Sequence, residues 1–235
     1  MFTIERFASF FNTFIEGGYT YTILDGLFNT LTLSFIATII GLAIGLVVAI
    51  IGMLESKNKI KNSILKVLKF IAKLYVDIIR GTPAVVQVSF LWLVVLAPLN
   101  LPRILVGGIA FGINSGAYMS EVIRGGINAI DKGQTEAGRS LGLSYFQTMQ
   151  LIILPQAFRQ MLPSLVNEFI NLIKETAIIG FIGGMDLMKA ANILISTTYN
   201  FEIPLIMVAL IYLAITSTLT YFMRGIENRL SKQNR

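Results

Sequence analysis

The sequence predicts an all-α polytopic membrane protein with five transmembrane helices. Of its 235 residues, 54% are hydrophobic and only 14% are charged, whereas a soluble domain carries roughly 25% charged residues. Long uncharged runs recur along the chain, and most basic residues gather in three clusters between or after these runs. Because so few charges cannot cover a water-facing surface, we expect one transmembrane domain over residues 1–235.

Four spans follow from hydropathy, because each approaches or exceeds the ~20 residues that cross a bilayer. Residues 26–54 contain no charged residue. Residues 81–102 are also uncharged and carry Pro83 and Pro98. The spans expected on this basis are about 27–54, 80–100, 104–124 and 203–223.

A fifth span, at about 161–182, follows from the basic residues rather than from hydropathy. Fifteen of the 19 Lys and Arg residues lie in three clusters, at 55–80, 124–159 and 224–235. Basic loops stay in the cytoplasm, so an even number of crossings must separate the second cluster from the third. Since 203–223 supplies only one crossing, we expect another before it, with the N-terminus outside and the C-terminus inside.

Residues 56–79 form a basic amphipathic segment. Apolar residues at 60, 64, 65, 68, 71, 75 and 78 share one helical face, and the lysines fall on the other. Two interpretations remain open. The segment is either a helix on the inner membrane surface, in contact with membrane lipid, or a helical extension of the second span.

Residues 131–155 are polar and predict two short helices joined at a glycine. Asp131 is suited to begin the first helix, and Gly142 to occupy the left-handed position that ends it. Ser144 begins a capping box for the second helix, which we expect to end just before Pro155. This helix–Gly–helix pattern fits a solvated loop, a DNA-binding helix-turn-helix or a coupling element that docks into a cytosolic partner. The nearby spans disfavour DNA binding, so we expect no nucleic-acid partner.

The same segment contains, in order, Glu136-Ala137-Gly138, Gly142 and Ile153-Leu154-Pro155. These residues resemble the EAA loop of ABC importer permeases, which inserts into a cleft of the ATP-binding subunit. Other motifs resemble those of polar amino-acid permeases: Arg80-Gly81-Thr82-Pro83, Ala117-Tyr118 with Glu121, Arg124-Gly125, Asn167-Glu168-Phe169 and Lys174-Glu175-Thr176. The similarity covers nearly all of residues 25–225.

Two positions depart from the family pattern. Gly138 stands where the signature has alanine, and Glu175 stands where aspartate is usual. Glycine costs up to ~1 kcal/mol in a helix, so we expect alanine at position 138 to preserve or tighten coupling. Because Glu175 is one methylene longer than aspartate, the relatives' substrate specificity does not carry over directly.

The resemblance implies that the hairpin couples this chain to a separate ATPase. The implied coupling residues are Glu136, Ala137, Gly138, Ser140, Leu141, Gly142, Leu154 and Pro155. No Walker sequence occurs in the chain, so we expect no cofactor here, with ATP and Mg²⁺ bound by the partner. The implied assembly has two ABC ATP-binding subunits, a second permease copy or homologue, and an extracellular solute-binding protein, in the bacterial cytoplasmic membrane.

A polar face is predicted on the fourth span. Ser164, Glu168, Asn171 and Glu175 recur at helical spacing, and ionisable groups inside a membrane usually face a bundle interior or an aqueous cavity. Our hypothesis is that Glu168 or Glu175 meets the cationic part of an amino acid. The candidate substrate-binding residues are Thr82, Gln87, Asn167, Glu168, Asn171 and Glu175. The alternative is that these polar groups only bind one another across helices.

Two other patterns indicate packing rather than a site. Glu121 and Arg124 are spaced for an ion pair, and we place Tyr118 and Glu121 with the interhelical contacts. Two G-x-x-x-G pairs are expected to pack helices within one subunit: Gly41 with Gly45, and Gly112 with Gly116.

The function favoured by the sequence is the permease subunit of an ATP-driven importer for a polar amino acid, including a cationic one, working by alternating access. The rival is an ion-coupled secondary transporter or channel subunit, which would be active without an ATPase. A membrane enzyme is disfavoured, because the chain contains no histidine or cysteine. We expect no catalytic residue and no metal site.

Overall fold

The chain is helical along nearly all of the part that the computed structural model describes, residues 4–54 and 58–232, with side chains described for 9–54 and 58–227. The α-helices are α1 (Ile4–Glu16), α2 (Tyr19–Met53), α3 (Lys59–Gly81), α4 (Ala84–Phe90), α5 (Arg103–Asn128), α6 (Lys132–Ser140), α7 (Tyr145–Thr148), α8 (Leu154–Glu175), α9 (Leu187–Thr198) and α10 (Glu202–Lys232). The predicted all-α fold is confirmed for these residues.

Two helices in this part of the chain are each long and apolar enough to cross a bilayer. They are α2 and the stretch Glu202–Glu227 of α10. A third candidate exists if α3 and Ala84–Leu99 are counted together as one broken span. The spans predicted from hydropathy at 27–54 and 203–223 fall on the first two helices. The full count of five spans, and their orientation, remain predictions.

The contact between α2 and α5 forms the centre of the bundle. The two helices run in the same direction: Leu33 in α2 lies against Gly107 near the start of α5, and Ala49 packs with Ile123 near its end. A cluster of buried apolar side chains extends from this contact to α4 and α8. The helices that carry the candidate sites are therefore held against a common scaffold.

The two G-x-x-x-G pairs lie in this contact. A Cβ atom at Gly45 would lie 2.9 Å from the Met119 Cβ and 3.0 Å from the Ser120 backbone nitrogen. A Cβ atom at Gly116 would lie 2.8 Å from the Ile44 Cγ2. Only a hydrogen side chain permits this approach, as is common in membrane helix pairs. The prediction that these glycines pack within one subunit is confirmed.

The α8 helix runs antiparallel to α2 and α5 along the bundle. Met161, near its start, packs with Ile123 close to the end of α5. Past its last turn, the backbone of Asp186 comes against Gly26 near the start of α2. The helices α6 and α7 meet in a corner at Gly142, and we call the end of the bundle where they lie the corner end. We call the opposite end the Asp186 end. This path agrees with the additional crossing that the basic clusters require.

The predicted second span is bent. The axes of α3 and of Ala84–Leu99 differ by 113° across Thr82 and Pro83. Thr82 is extended, with φ −128° and ψ 154°, because a following proline disfavours the helical conformation. The described part of 56–79 therefore does not continue the second span as one unbroken helix. Residues 56 and 57 lie outside the described residues, and a position on the inner membrane surface remains a prediction.

Between α8 and α10 the chain forms α9, which the sequence analysis did not predict. The buried Asp186 side chain caps this helix by accepting hydrogen bonds from the N–H groups of Met188 at 3.1 Å and Lys189 at 2.8 Å. The Leu187 N–H donates to Thr30 Oγ1 of α2 at 3.0 Å. These bonds dock α9 onto α2, in an apolar cluster that also includes α1 and α10.

Candidate functional site

The first candidate site is the corner formed by α6, a turn at Gly142 and α7. The Asp131 Oδ1 accepts a hydrogen bond from the Gly133 N–H at 2.6 Å and begins α6. Gly142 has a φ of 84°, and its N–H donates to the Arg139 carbonyl at 3.1 Å. The following N–H bonds back to the Gly138 carbonyl at 3.2 Å, which completes a Schellman motif. The predicted end of the first helix is confirmed.

The second helix begins with the predicted capping box. The Gln147 N–H donates to the Ser144 Oγ at 3.2 Å, and the Ser144 N–H donates to the Gln147 Oε1 at 2.8 Å. Each bond satisfies a backbone donor that has no partner within the helix. Local hydrogen bonds therefore define both helix ends that meet at the corner.

The prediction that the second helix ends just before Pro155 is wrong. A π-helical turn, Met149–Ile153, continues α7 into α8, and Pro155 lies in the first turn of α8. The proline, which has no N–H to donate, directly follows the π-turn, where the regular helical hydrogen-bond pattern is already altered. The corner is consequently joined to α8 by uninterrupted helical backbone, with no flexible linker.

Gly138 is a point of close packing in this corner. It is buried, and a Cβ atom there would lie 2.7 Å from the Thr148 Cγ2, 3.1 Å from the Thr148 Oγ1 and 3.0 Å from the Ile152 Cδ1. The expectation that alanine at position 138 would preserve or tighten coupling considered helix propensity only. The close contacts add an opposing steric effect, because a methyl group at position 138 would require Thr148 and Ile152 to shift, and the effect of alanine on coupling stays a prediction.

The corner also exposes large apolar side chains. Leu141 is 81% exposed, Phe146 73% and Tyr145 60%. The other predicted coupling residues that are exposed here are Glu136, Ala137, Ser140 and Gly142. Sequence reasoning missed Tyr145 and Phe146, although two aromatic residues directly after a capping serine in a polar segment were a usable signal. The corner thus combines a rigid backbone with an unpartnered apolar surface.

The last two predicted coupling residues, Leu154 and Pro155, lie at the start of α8 and not between the two short helices. Both are exposed. Leu154 lines an apolar cavity of about 670 Å³ together with Ile50, Ile127 and Phe146. The structure therefore places these two residues where the corner meets the bundle.

The corner sequence Gly138–Gly142 also reads G-x-S-x-G, the pattern of a serine-hydrolase nucleophile elbow. That elbow places its serine between a strand and a helix, beside a histidine base. Here Ser140 is the last residue of α6, and the chain has no histidine. The pattern therefore lacks both the strand–turn–helix setting and the histidine of such an elbow.

The second candidate site is the polar face of α8. Asn167, Asn171, Lys174 and Glu175 are exposed along this helix, and so is Ser164 one turn earlier. Glu168 is partly buried, and its Oε1 accepts a hydrogen bond from the Ser115 Oγ of α5 at 3.2 Å. One carboxylate is therefore held between helices, while the remaining polar groups are not covered by any helix in the described part of the chain.

The other two predicted substrate-binding residues, Thr82 and Gln87, lie at the bend. The Gln87 Nε2 donates to the Ile79 carbonyl at 2.8 Å and the Thr82 carbonyl at 3.0 Å. Its Oε1 accepts from the Nδ2 of Asn114, a buried residue of α5, at 2.7 Å. Gln87 thus satisfies carbonyl groups left open by the break and links the bend to α5. These hydrogen bonds hold the bend against α5.

Glu121 forms the predicted pair with Arg124, at 2.6 Å between carboxylate and guanidinium. Arg80 of α3 approaches the same carboxylate at 3.5 Å and lies 6.0 Å from the centre of the Tyr118 ring. The assignment of Tyr118 and Glu121 to interhelical contacts agrees with these distances. The contribution of Arg80 joins α3 to α5 just before the bend.

The fold, with its helical corner and polar helix face, is that of a membrane transport subunit. Residues 41–232 match the family described as binding-protein-dependent transport system inner membrane component, and the chain belongs to this family. It is 43% identical over 210 residues to the "Putative glutamine transport system permease protein GlnP" of Rickettsia bellii (strain RML369-C), covering 88% of this chain and 92% of that protein. It is 38% identical over 214 residues to the "Arginine transport system permease protein ArtQ" of Bacillus subtilis (strain 168), covering 90% and 94%.

Solved structures show the same relationship. A crystal structure of an amino acid ABC transporter with histidines superposes with a TM-score of 0.81 at 39% identity, covering 91% of this chain and 96% of that one. The MetNI methionine ABC transporter, in an inward facing conformation, gives a TM-score of 0.69 at 17% identity and shares the fold. The chain is therefore a permease of the amino-acid ABC transporter group, a class of subunit that is not itself an enzyme.

Proposed function

We propose that this chain is the transmembrane subunit of an ATP-driven importer that moves a polar amino acid across the cytoplasmic membrane by alternating access. The observation that carries the proposal is the corner. It is fixed by a Schellman motif and a capping box, exposes Leu141 and Phe146, and continues without a break into α8. A partner that pushes on the corner would move α8 as a lever, because the π-turn leaves no loose joint between them.

The proposed topology has five spans, formed by α2, Ala84–Leu99, α5, α8 and α10. The corner and the basic clusters lie in the cytoplasm, and Asp186 lies near the outer surface. The chain has no native cysteine, so single-cysteine variants report accessibility directly. Ser140→Cys should react with an impermeant thiol reagent only from the inside, and Tyr199→Cys only from the outside. Reaction of both from the same side would contradict five spans.

The polar face of α8 is proposed to line the substrate pathway, together with a second copy of the chain or a homologous permease. It is supported by the exposure of Asn167, Asn171 and Glu175 on a helix whose apolar side is buried. Glutamine and arginine, named for two relatives, share the α-amino and α-carboxyl groups that such a face can bind. Glu168 or Glu175 would contact the amino group.

Neutral substitutions test this assignment. A hydrogen bond to a charged group contributes about 1.5–3 kcal/mol, so Glu168→Gln or Glu175→Gln should weaken substrate binding by at least roughly tenfold. Glu202→Gln, in the exposed first turn of α10, is the matched control. Unchanged affinity and selectivity in both α8 variants would contradict a substrate-lining role.

The proposed partners are two ABC ATP-binding subunits and an extracellular solute-binding protein. ATP and Mg²⁺ are proposed to bind only to the ATP-binding subunits. Co-purification of an ATPase, with hydrolysis stimulated by amino-acid-loaded binding protein, is the expected result. Amino-acid uptake by the chain alone, driven by an ion gradient, would instead support a secondary transporter.

A further inference from the structure

A cavity of about 330 Å³ lies between α2, α3 and α5 near the corner end of the bundle. Its walls are formed by small and aliphatic residues of α2 and α3, including Gly52 and Val76. Its charged lining comes from α3 and α5 and consists of Lys69, Lys73, Asp77, Arg80, Glu121 and Arg124. No function proposed above uses this cavity.

The cavity has surplus positive charge. It is lined by four cationic side chains but only two carboxylates. Glu121 is held by Arg124 at 2.6 Å and by Arg80 at 3.5 Å. Lys69 and Lys73 form no ion pair with any of the described residues, and their spacing of four residues places both on one side of α3. Two ammonium groups are thus available to a ligand.

An apolar surface adjoins these lysines on the same helix. The large hydrophobic side chains exposed on this part of α3 are Phe70, Ile71, Leu74 and Ile78. A small inorganic anion would use only the ammonium groups. A phospholipid would use both features, because its phosphate can meet the lysines while its acyl chains cover the apolar surface.

We propose that this cavity binds the headgroup phosphate of an anionic phospholipid. Lys69 and Lys73 contact the phosphate, and the acyl chains lie along α3. The proposal rests on the proposed orientation, which places the corner end at the cytoplasmic leaflet. A lipid bound here would bridge α3 to the ends of α2 and α5, beside the Arg80–Glu121 contact that precedes the bend.

The test is a titration of the purified full-length chain in detergent with phosphatidylglycerol, followed by native mass spectrometry. Each lysine near an anionic headgroup contributes roughly a factor of five to binding. The double variant Lys69→Gln/Lys73→Gln should therefore weaken phosphatidylglycerol binding roughly 25-fold. Lys61→Gln/Lys66→Gln removes the same charge from exposed positions of α3 outside the cavity, and should change binding less than about threefold.

Two comparisons separate the possible ligands. Phosphatidylcholine and soluble glycerol phosphate should each bind far more weakly than phosphatidylglycerol. Lys69→Arg/Lys73→Arg should restore binding, and helical content measured by circular dichroism should match that of the native chain in every variant. Equal losses in the two glutamine pairs would show diffuse attraction and overturn the site. Equal binding of glycerol phosphate would overturn the lipid assignment.

This test requires neither an ATPase nor transport. A failure of lipid binding would leave the proposed importer function untouched. Conversely, loss of ATP-dependent uptake in a corner variant that retains phosphatidylglycerol binding would bear only on the coupling proposal.

Discussion

Substitution of Gly138 by alanine is the sharpest perturbation of the corner. Two effects oppose each other. Alanine is favoured over glycine in a helix interior by about 1 kcal/mol, but the new Cβ would lie 2.7 Å from the Thr148 Cγ2 and 3.0 Å from the Ile152 Cδ1. Ordinary contacts between carbon atoms are about 3.5–4.0 Å, and overpacking costs typically about 1–3 kcal/mol. The clash should win, with a net destabilisation of the corner of about 0–2 kcal/mol.

The double variant Gly138→Ala/Thr148→Ser isolates the steric effect. Serine lacks the Cγ2 atom but keeps the hydroxyl that donates to the Ser144 carbonyl at 3.0 Å. The double variant therefore retains the gain in helix propensity and loses the shortest contact. We expect corner stability to return to the native value or to exceed it.

The stability of the corner can be measured by amide hydrogen exchange of residues 132–153, because the exchange rate reports the free energy of local opening. Gly138→Ala should accelerate exchange, Gly138→Ala/Thr148→Ser should reverse the change, and Thr148→Ser alone is the control for the small cavity. Slower exchange in the single alanine variant, with no further effect of serine, would refute the packing argument and reinstate the propensity argument.

Three further substitutions are best followed by thermal unfolding of the purified chain in detergent. Gln87→Leu leaves the buried Asn114 amide without its partner and should lower the free energy of unfolding by about 1–3 kcal/mol. An unchanged midpoint of thermal unfolding would show that the Gln87 hydrogen bonds are not needed for stability. Gly45→Ala forces α2 away from α5 and should cost about 1–3 kcal/mol, whereas the control Gly52→Ala meets open space and should not destabilise. Glu121→Gln removes a partly exposed ion pair and should cost less than about 1 kcal/mol, so a larger loss would indicate a buried network.

Features specified by a few neighbouring residues were predictable from sequence. The Asp131 cap, the turn at Gly142 and the capping box at Ser144 each depend on residues within a few positions of one another. The glycine pairs were also predictable as packing sites, because their spacing alone marks one face of a helix. The basic residues predicted a crossing over residues that hydropathy scores poorly, and α8 lies there, although its crossing of the membrane stays a prediction.

Features that join distant parts of the chain were not predictable in the same way. Gln87 resembled a free polar group in a membrane span, yet it bonds carbonyls at the bend and Asn114 on another helix. Gly138 resembled a weak point in a helix until its contact with Thr148 was visible. Pro155 was expected to end a helix, but the π-turn before it allows the helical backbone to continue. In each case the deciding contact requires three-dimensional coordinates.

Uptake of a radiolabelled amino acid into proteoliposomes tests the central claim most directly. The vesicles would hold the chain with its co-purified ATPase, and the binding protein would be added outside. We expect uptake of glutamine or arginine that requires ATP inside and falls sharply when Leu141→Asp disrupts the exposed apolar surface of the corner, with Tyr199→Asp at the far end as control. Uptake that proceeds without ATP on an ion gradient, or that is indifferent to Leu141→Asp, would contradict coupling through the corner.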